Sequence, residues 1–405
     1  MTKKILIFSV AYRPFIGGAE VAVEEITKRL AASGFSFDLL TVNLDGCQKR
    51  QENIDGVNIF RMGKGSLGKL FFPFSAFFLA RRLHKKNHYD ATWAIMANYA
   101  GFAALFFKIF EPTVPFILTL QEGDPLAEIK RKVWFVSPLF KMIFRRADSV
   151  TAISDYLARW GKKMGAKNVK IVPNGVDIKN FQFPISNFQK DEFRKKLGFE
   201  KDDVILVTTG RLVKKNGVED IIAALKFLPE KVKLLIVGIG ELEESLKSKV
   251  QSYPPEADQP GAGKLQNRVR FVGFVQPEKL PEYLWASDIF VRPSLSEGLG
   301  NSFIEAMAAG LPIIGTPVGG IPDFLFDPSS RLNLGSSERF NLYGQTGLFC
   351  EPNNPQGIAE KVKLLLTDNS FRQKIITNAQ KLVAEKYNWN LLAQNIGKII
   401  ANLTK

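Results

Sequence analysis

Two carboxylates eight residues apart, Glu297 and Glu305, bracket the segment Ser294-Leu295-Ser296-Glu297-Gly298-Leu299-Gly300-Asn301-Ser302-Phe303-Ile304-Glu305. Glu297 belongs to a glycine-rich loop, and a helix starting near Asn301 or Ser302 carries Glu305. Carboxylates accept hydrogen bonds from hydroxyls, and backbone amides beside Gly298 and Gly300 at a helix N-terminus can approach an anion closely. The combination suits a nucleotide sugar. The same pair would also serve as a loop charge and a solvated helix residue, so the spacing alone leaves both open.

Two further loops have the composition of anion sites. Gly210-Arg211-Leu212-Val213-Lys214-Lys215-Asn216-Gly217 follows an apolar run and opens a helix with three cations beside it. An arginine fork and a lysine point charge can stabilise a leaving diphosphate; a solvated basic loop would look similar. Gly17-Gly18-Ala19-Glu20 also precedes a helix, but its spacing is not that of a dinucleotide fingerprint, and a plain tight turn reads the same way.

These loops need strands and helices to hold them. Apolar strand-like runs at 5–10, 37–42, 116–120 and 149–153 alternate with amphipathic stretches of helical length, and a second series follows at 204–209, 234–237, 269–272, 289–291 and 313–315. Alternation of this kind predicts parallel sheets covered by helices, and hence an α/β fold of two Rossmann-like, doubly wound domains facing each other across a cleft. The boundary is expected at Ile171 to Asp177, giving domains at 1–177 and 178–388. Residues 251–266 and 327–343 read as insertions.

A chain of 405 residues, 45% of them hydrophobic, can bury two such cores without disulfides or metals, which excludes a disordered or disulfide-stapled protein. Cys47 and Cys350 are far apart and fit no metal spacing, and a cytoplasmic location is expected. The N-terminal run is too short for a signal peptide and reads as a first strand, and no transmembrane helix is expected. Residues 1–177 hold 26 basic and 15 acidic residues, a net of +11 out of +15 for the whole chain. This field calls for an anionic partner: a phosphorylated substrate, a phospholipid surface or nucleic acid. No nucleic-acid-binding module is visible, and none is expected as a partner.

In order along the chain, Gly17-Gly18-Ala19-Glu20, Pro173-Asn174-Gly175-Val176-Asp177, Gly210-Arg211-Leu212 with Gly217, the Glu297/Glu305 pair, Gly310-Leu311-Pro312-Ile313-Ile314 and Gly319-Gly320-Ile321-Pro322-Asp323 match a family's motifs. The chain resembles the family-four retaining glycosyltransferases of the GT-B fold over nearly its whole length. The resemblance implies a nucleoside-diphosphate sugar as co-substrate, bound mainly by the second domain, with no other cofactor. Glu305 would meet the ribose hydroxyls and Glu297 the sugar, while Arg211 and a nearby lysine hold the diphosphate. Amides of Gly298, Leu299, Gly300, Asn301 and Ser302 would complete these contacts, Gly273, Phe274 and Val275 would border the base, and Gly17, Gly18 and Gly210 would line the donor site. The acceptor, a sugar or a lipid-linked sugar, would bind the first domain, with the last helix, about 389–405, packing back onto it.

Two departures from the family pattern stand out. Asn216 occupies the place of the usual lysine, which shifts the second cation to Lys215, or else Lys214. The usual histidine after the 116–120 strand is absent, and Gln121, Glu122 and Asn174 become the candidate contacts for the sugar or acceptor. The implied reaction retains the anomeric configuration, with catalytic roles for Arg211, Lys215 and Glu297 and no metal site. Its setting would be cell-envelope polysaccharide or glycolipid synthesis. A nucleotide-sugar epimerase, or a non-catalytic sugar-nucleotide-binding protein of the same fold, is the alternative. Phenylalanines and cations interleave over 65–86 and 141–146, with a further cation run at Lys130-Arg131-Lys132, which suits either a core helix with a basic end or the anionic inner face of a membrane.

Overall fold

The structure, a computed structural model, describes residues 2–15, 17–181, 186–252, 265–328 and 341–405. Most of both expected insertions, residues 253–264 and 329–340, lies outside the described residues. The chain divides into two compact units, Met1–Gly175 with Trp389–Lys405, and Val176–Asn388. Each is a Rossmann-like α/β unit.

Among its described residues the first unit holds eight strands: β1 (Lys3–Phe8), β2 (Phe35–Val42), β3 (Gln51–Ile54), β4 (Val57–Met62), β5 (Ala91–Ile95), β6 (Phe116–Leu120), β7 (Ser149–Ala152) and β8 (Val169–Ile171). They lie in the order β3-β4-β2-β1-β5-β6-β7-β8. All neighbours are parallel except β3 and β4, an antiparallel hairpin turning at Asp55-Gly56, where both residues have positive φ (49° and 84°). An Asp-Gly pair takes that turn readily because its twist matches the flanking strands. The sequence reading missed this hairpin, since β3 is polar at Gln51, Glu52 and Asn53 and Asn58 and Arg61 interrupt the apolar run of β4.

Strand β5 was also missed. Its residues merge with the following helix into one uncharged run over 91–107, which the structure breaks at Met96–Asn98. There the Asn98 side chain accepts the Ala100 amide at 2.9 Å and caps the helix Tyr99–Phe110. Helix α1 (Gly18–Ala31) buries Val23, Ile26 and Leu30 against Ile5, Ile7, Phe37 and Leu39. The last helix, Trp389–Leu403, joins the same core through Trp389, Leu392, Ile396 and Ile400. Burial of an apolar side chain of this size contributes about 2 kcal/mol, so four of them fix the chain's C-terminal helix to α1 rather than to the unit that precedes it in sequence.

Among its described residues the second unit holds six parallel strands, β9 (Val204–Thr209), β10 (Val232–Val237), β11 (Val269–Gly273), β12 (Ile289–Arg292), β13 (Ile313–Gly315) and β14 (Leu348–Phe349). Their order is β11-β10-β9-β12-β13-β14. Strand order reverses between β9 and β12, and the loops leaving the C-terminal ends of these two neighbours flank the place where such sheets take ligands.

Two glycines let the loops at that end close on each other. Gly217 has a left-handed backbone (φ 66°), and a Cβ there would lie 2.2 Å from the carbonyl oxygen of Pro293 in the loop after β12. Gly319 (φ 58°) lies against the backbone of Glu297, where a Cβ would come within 1.8 Å of its carbonyl oxygen, and Gly320 donates its amide to that same oxygen at 3.2 Å. The Gly319-Gly320 motif thus supports the Glu297 loop from behind.

Gly217→Ala is expected to lower the stability of the second unit by about 2–4 kcal/mol, combining the left-handed backbone penalty with a forced loop shift. Gly273→Ala, with a similar φ of 82° but open space around the added carbon, should lose only about 1 kcal/mol. Denaturant unfolding of both variants checks the difference; equal losses would mean that the loops do not depend on this approach.

Candidate functional site

Arg292, the last residue of β12, stands where the candidate loops of the second unit meet. It is 8% exposed. Its Nη1 donates to the Thr209 carbonyl at the end of β9 (3.2 Å) and to the Ser302 hydroxyl (2.5 Å). Its Nη2 donates to Asn216 Oδ1 (2.8 Å) and to Glu297 Oε2 (3.2 Å). Ser302 is the second residue of helix α11 (Asn301–Ala308), whose N-cap is Gly300. One guanidinium therefore joins the end of β9, the Gly210–Gly217 loop, the Glu297 loop and the first turn of α11. A backbone bond from the Leu295 amide to the Lys215 carbonyl (2.7 Å) ties the two loops again.

Within this frame the candidate donor residues of the second unit are brought together. Gly210 lies against Arg292, since a Cβ there would lie 3.1 Å from Nη1. Arg211 and Lys214 are exposed and Lys215 is half-buried. Asn216, 4% exposed, donates to the Arg211 carbonyl at 2.6 Å, so it shapes the turn that presents Arg211. Glu297 is paired with Arg292, and Gly298, Leu299 and Gly300 lead from it into Asn301 and Ser302. Glu305, the fifth residue of α11, is half-buried. Burial pushes its carboxyl up to about 7, and the positive charge of Arg292 acts in the opposite direction. Gly273 ends the edge strand β11, two strands away from β12's neighbour β9, and Phe274 and Val275 follow it, with Phe274 exposed.

Sequence reasoning missed Arg292. The signal was present: an arginine closing the apolar run Ile289-Phe290-Val291 and preceding Pro293-Ser294. Looked at alone, such a residue is a charged strand end. Its partners, Asn216 among them, lie up to 83 residues away.

The first unit has a second polar cluster, at the C-terminal ends of β5 and β6. Gln121 and Glu122 follow β6 directly and are buried, as is Asn174. Asn174 Nδ2 donates to Gln121 Oε1 at 2.9 Å. Met96, after β5, adopts a left-handed backbone (φ 71°), an uncommon conformation for a residue with a Cβ, and the next amide, that of Ala97, donates to Glu122 Oε1 at 2.7 Å. Glu122 Oε2 is buried with no hydrogen-bond partner among the described residues. Burial raises the Glu122 carboxyl from an ordinary 4.5 to about 7; the Ala97 amide lowers it and nearby Asp124 raises it further. Near neutral pH this carboxyl can carry a proton and donate it in a hydrogen bond.

Gly17 and Gly18 open α1 at the end of the loop after β1. Here the helix N-terminus meets an anion of its own: a Cβ on Gly17 would lie 2.7 Å from a Glu20 carboxylate oxygen. The two histidines take no part in either cluster. His84 and His88 end the helix Gly65–Asn87, with His84 Nδ1 accepting the Tyr89 amide at 3.1 Å. Among the described residues no group of three His, Cys, Asp or Glu side chains is placed to hold a metal ion.

Residues 189–382 match the family model for glycosyl transferases group 1, and residues 16–180 match that for glycosyltransferase family 4. An uncharacterized glycosyltransferase of Methanocaldococcus jannaschii is 27% identical over 99% of this chain and 98% of its own. Among solved structures, sucrose-phosphate synthase from Thermosynechococcus elongatus superposes with a TM-score of 0.79 at 22% identity, covering 99% of both chains. Anabaena HepE in complex with UDP-glucose gives a TM-score of 0.76 at 20% identity, covering 98% of this chain and 99% of that one.

The raised carboxyls predict a pH-dependent stability. A glutamate whose folded pKa lies above its unfolded value stabilises the fold most below pH 4.5 and loses that contribution as pH rises through about 7. For Glu122 the loss amounts to about 3 kcal/mol at most, and for the more exposed Glu305 it is smaller. Glu122→Gln should therefore narrow the fall in Tm between pH 5 and pH 8.5. A fall as large as that of the unmodified chain would show that Glu122 ionises as an ordinary surface carboxyl.

Proposed function

We propose that this chain, which has the GT-B fold and matches glycosyltransferase family models over residues 16–180 and 189–382, moves a hexosyl group from a nucleoside-diphosphate sugar to a sugar or lipid-linked acceptor with retention at the anomeric carbon. The observation that carries this reading is the set of loops around Arg292: two carboxylates, a glycine-rich helix start and adjacent cations at the switch point of the second sheet. Glu305 would accept hydrogen bonds from the ribose hydroxyls and Glu297 from the sugar. Phe274, exposed after β11, would offer a face to the base. The first unit would take the acceptor, with Gln121, Glu122 and Asn174 meeting sugar hydroxyls.

In the proposed reaction the bond between the anomeric carbon and the leaving phosphate oxygen breaks through an oxocarbenium-like state. The acceptor oxygen then bonds to the same face of that carbon. The acceptor's proton passes to the departing phosphate, so no side-chain base is needed. The chain supplies alignment and positive charge: Arg211 and Lys215 come from the loop after β9, and the α11 amides face the developing charge of the diphosphate. These cations would do the work of a divalent metal, and turnover is expected to survive a chelator.

A UDP-hexose is the first donor to try, because the Anabaena relative was solved with UDP-glucose. Incubation with UDP-, GDP- and ADP-hexoses, with and without oligosaccharide or glycolipid acceptors, should release the nucleoside diphosphate; an isomerised donor in its place would turn the assignment to an epimerase. Arg211→Ala should lower turnover by about 10²-fold, the size of a single lost charge-stabilising donor. Unchanged turnover would remove Arg211 from the site.

A specific surface favours membrane association at the cytoplasmic face, in envelope polysaccharide or glycolipid synthesis. The helix Gly65–Asn87 leaves Leu67, Leu70, Phe71, Phe74 and Phe78 exposed at helical spacing along one side, and Trp134 and Phe135 stand out at 74% and 69% exposure. Lys69 and Arg82 are exposed on the same helix, and exposed Lys130, Arg131, Lys141 and Arg145 flank Trp134 and Phe135 along the chain. Exposed aromatic rings beside cations suit the boundary of an anionic bilayer. The chain is expected to float with vesicles containing phosphatidylglycerol at low salt and not with phosphatidylcholine alone; no flotation with either would discard the surface.

A further inference from the structure

We propose that Arg292 is a positioning residue for the nucleoside diphosphate: one buried guanidinium that assembles the loop after β9, the Glu297 carboxylate and the first turn of α11, and supplies fixed positive charge where they meet. The proposal rests on the transferase reading and assigns this chain's diphosphate site a cation outside the Gly210–Gly217 loop.

Three observations point the same way. First, the contacts are shared among four separate segments, through Thr209, Asn216, Glu297 and Ser302. An interaction within one loop would stabilise that loop alone, whereas this one sets the loops relative to each other. Second, the charge sits at an unfavourable place for a cation. Ser302 lies in the first turn of α11, where the aligned peptide dipoles favour an anion. Glu297 at 3.2 Å offsets part of that repulsion, and a bound diphosphate would offset the rest. Third, the guanidinium is incompletely satisfied: Nε is buried with no hydrogen-bond partner among the described residues. Well-packed apolar residues often replace a buried ion pair without loss of stability, so stability by itself gives little reason for a charge here.

Asn216 makes the arrangement testable. Its side-chain oxygen lies 2.8 Å from Arg292 Nη2, and both residues are buried. A lysine at 216 would bring an ammonium against the guanidinium, whereas with Arg292 removed the same ammonium could restore the missing charge from the opposite loop.

The test uses the full chain and titrates UDP, GDP and ADP by calorimetry into the unmodified protein, Arg292→Met, Arg292→Lys, Asn216→Lys and the Asn216→Lys/Arg292→Met double variant. Arg292→Met should weaken the preferred nucleotide by about tenfold or more, as loss of a charge-assisted fork does. Arg292→Lys keeps the charge but loses the fork, and should fall between that variant and the unmodified protein. Asn216→Lys alone should also weaken binding, and the double variant should recover to within about threefold of the unmodified chain, a rescue that a purely structural role would not produce.

Unweakened binding by Arg292→Met, or a double variant no tighter than Arg292→Met, overturns the proposal while leaving the transferase reading intact. If Arg292→Met does not fold, Arg292→Lys decides, and undiminished affinity there overturns it. An unmodified chain that binds none of the three nucleotides overturns both the transferase reading and the proposal.

Discussion

The second unit depends on the meeting of one guanidinium with groups from two neighbouring strand ends. Parallel strands bring the end of β9 beside the end of β12, but adjacency does not by itself set the conformation of the loops that follow. Arg292 does so by hydrogen bonds, because its planar fork spans acceptors that a single ammonium could not reach together. The loops come close enough for this only because Gly217 admits the Pro293 carbonyl and Gly319 admits that of Glu297. Sterics and electrostatics therefore act on the same few residues.

The two units reach similar chemistry by different routes. In the second, the Glu297 carboxylate is held by a paired cation. In the first, Glu122 takes the Ala97 amide on one oxygen and has no hydrogen-bond partner on the other among the described residues, and desolvation moves its carboxyl towards neutrality. The Glu122 arrangement keeps a proton available near neutral pH. Both sit just beyond the C-terminal ends of buried strands, where the sheet's regular hydrogen bonds stop and side chains are free to face a ligand.

Much of the framework was legible in the residues. The strands at Phe116–Leu120, Val204–Thr209 and Ile313–Gly315 were read with the bounds they have in the structure, because a strand buried on both faces is a short continuous apolar run. Glu297 and Glu305 were legible through their glycine-rich setting, and α11 begins at Asn301. Strand β5 was hidden by the uncharged helix behind it, and the β3–β4 hairpin by its polarity at the sheet edge. Lys215 and Lys214 were the cations considered beside Asn216, for they are its neighbours along the chain; the guanidinium against its side chain comes instead from β12.

The residues alone determined the α/β class, the alternation of most of its apolar strands with helices, and the loops that carry polar chemistry. Each of these follows from local periodicity or from the composition of a short segment. Tertiary structure decided which charge faces which: Arg292 against Asn216 across 76 residues, Glu122 against the amide after β5, and the last helix against α1. The physical reason is that an ion's strength and a carboxyl's proton affinity depend on burial and on partners distant in sequence, and both exist only once the strand order has been formed.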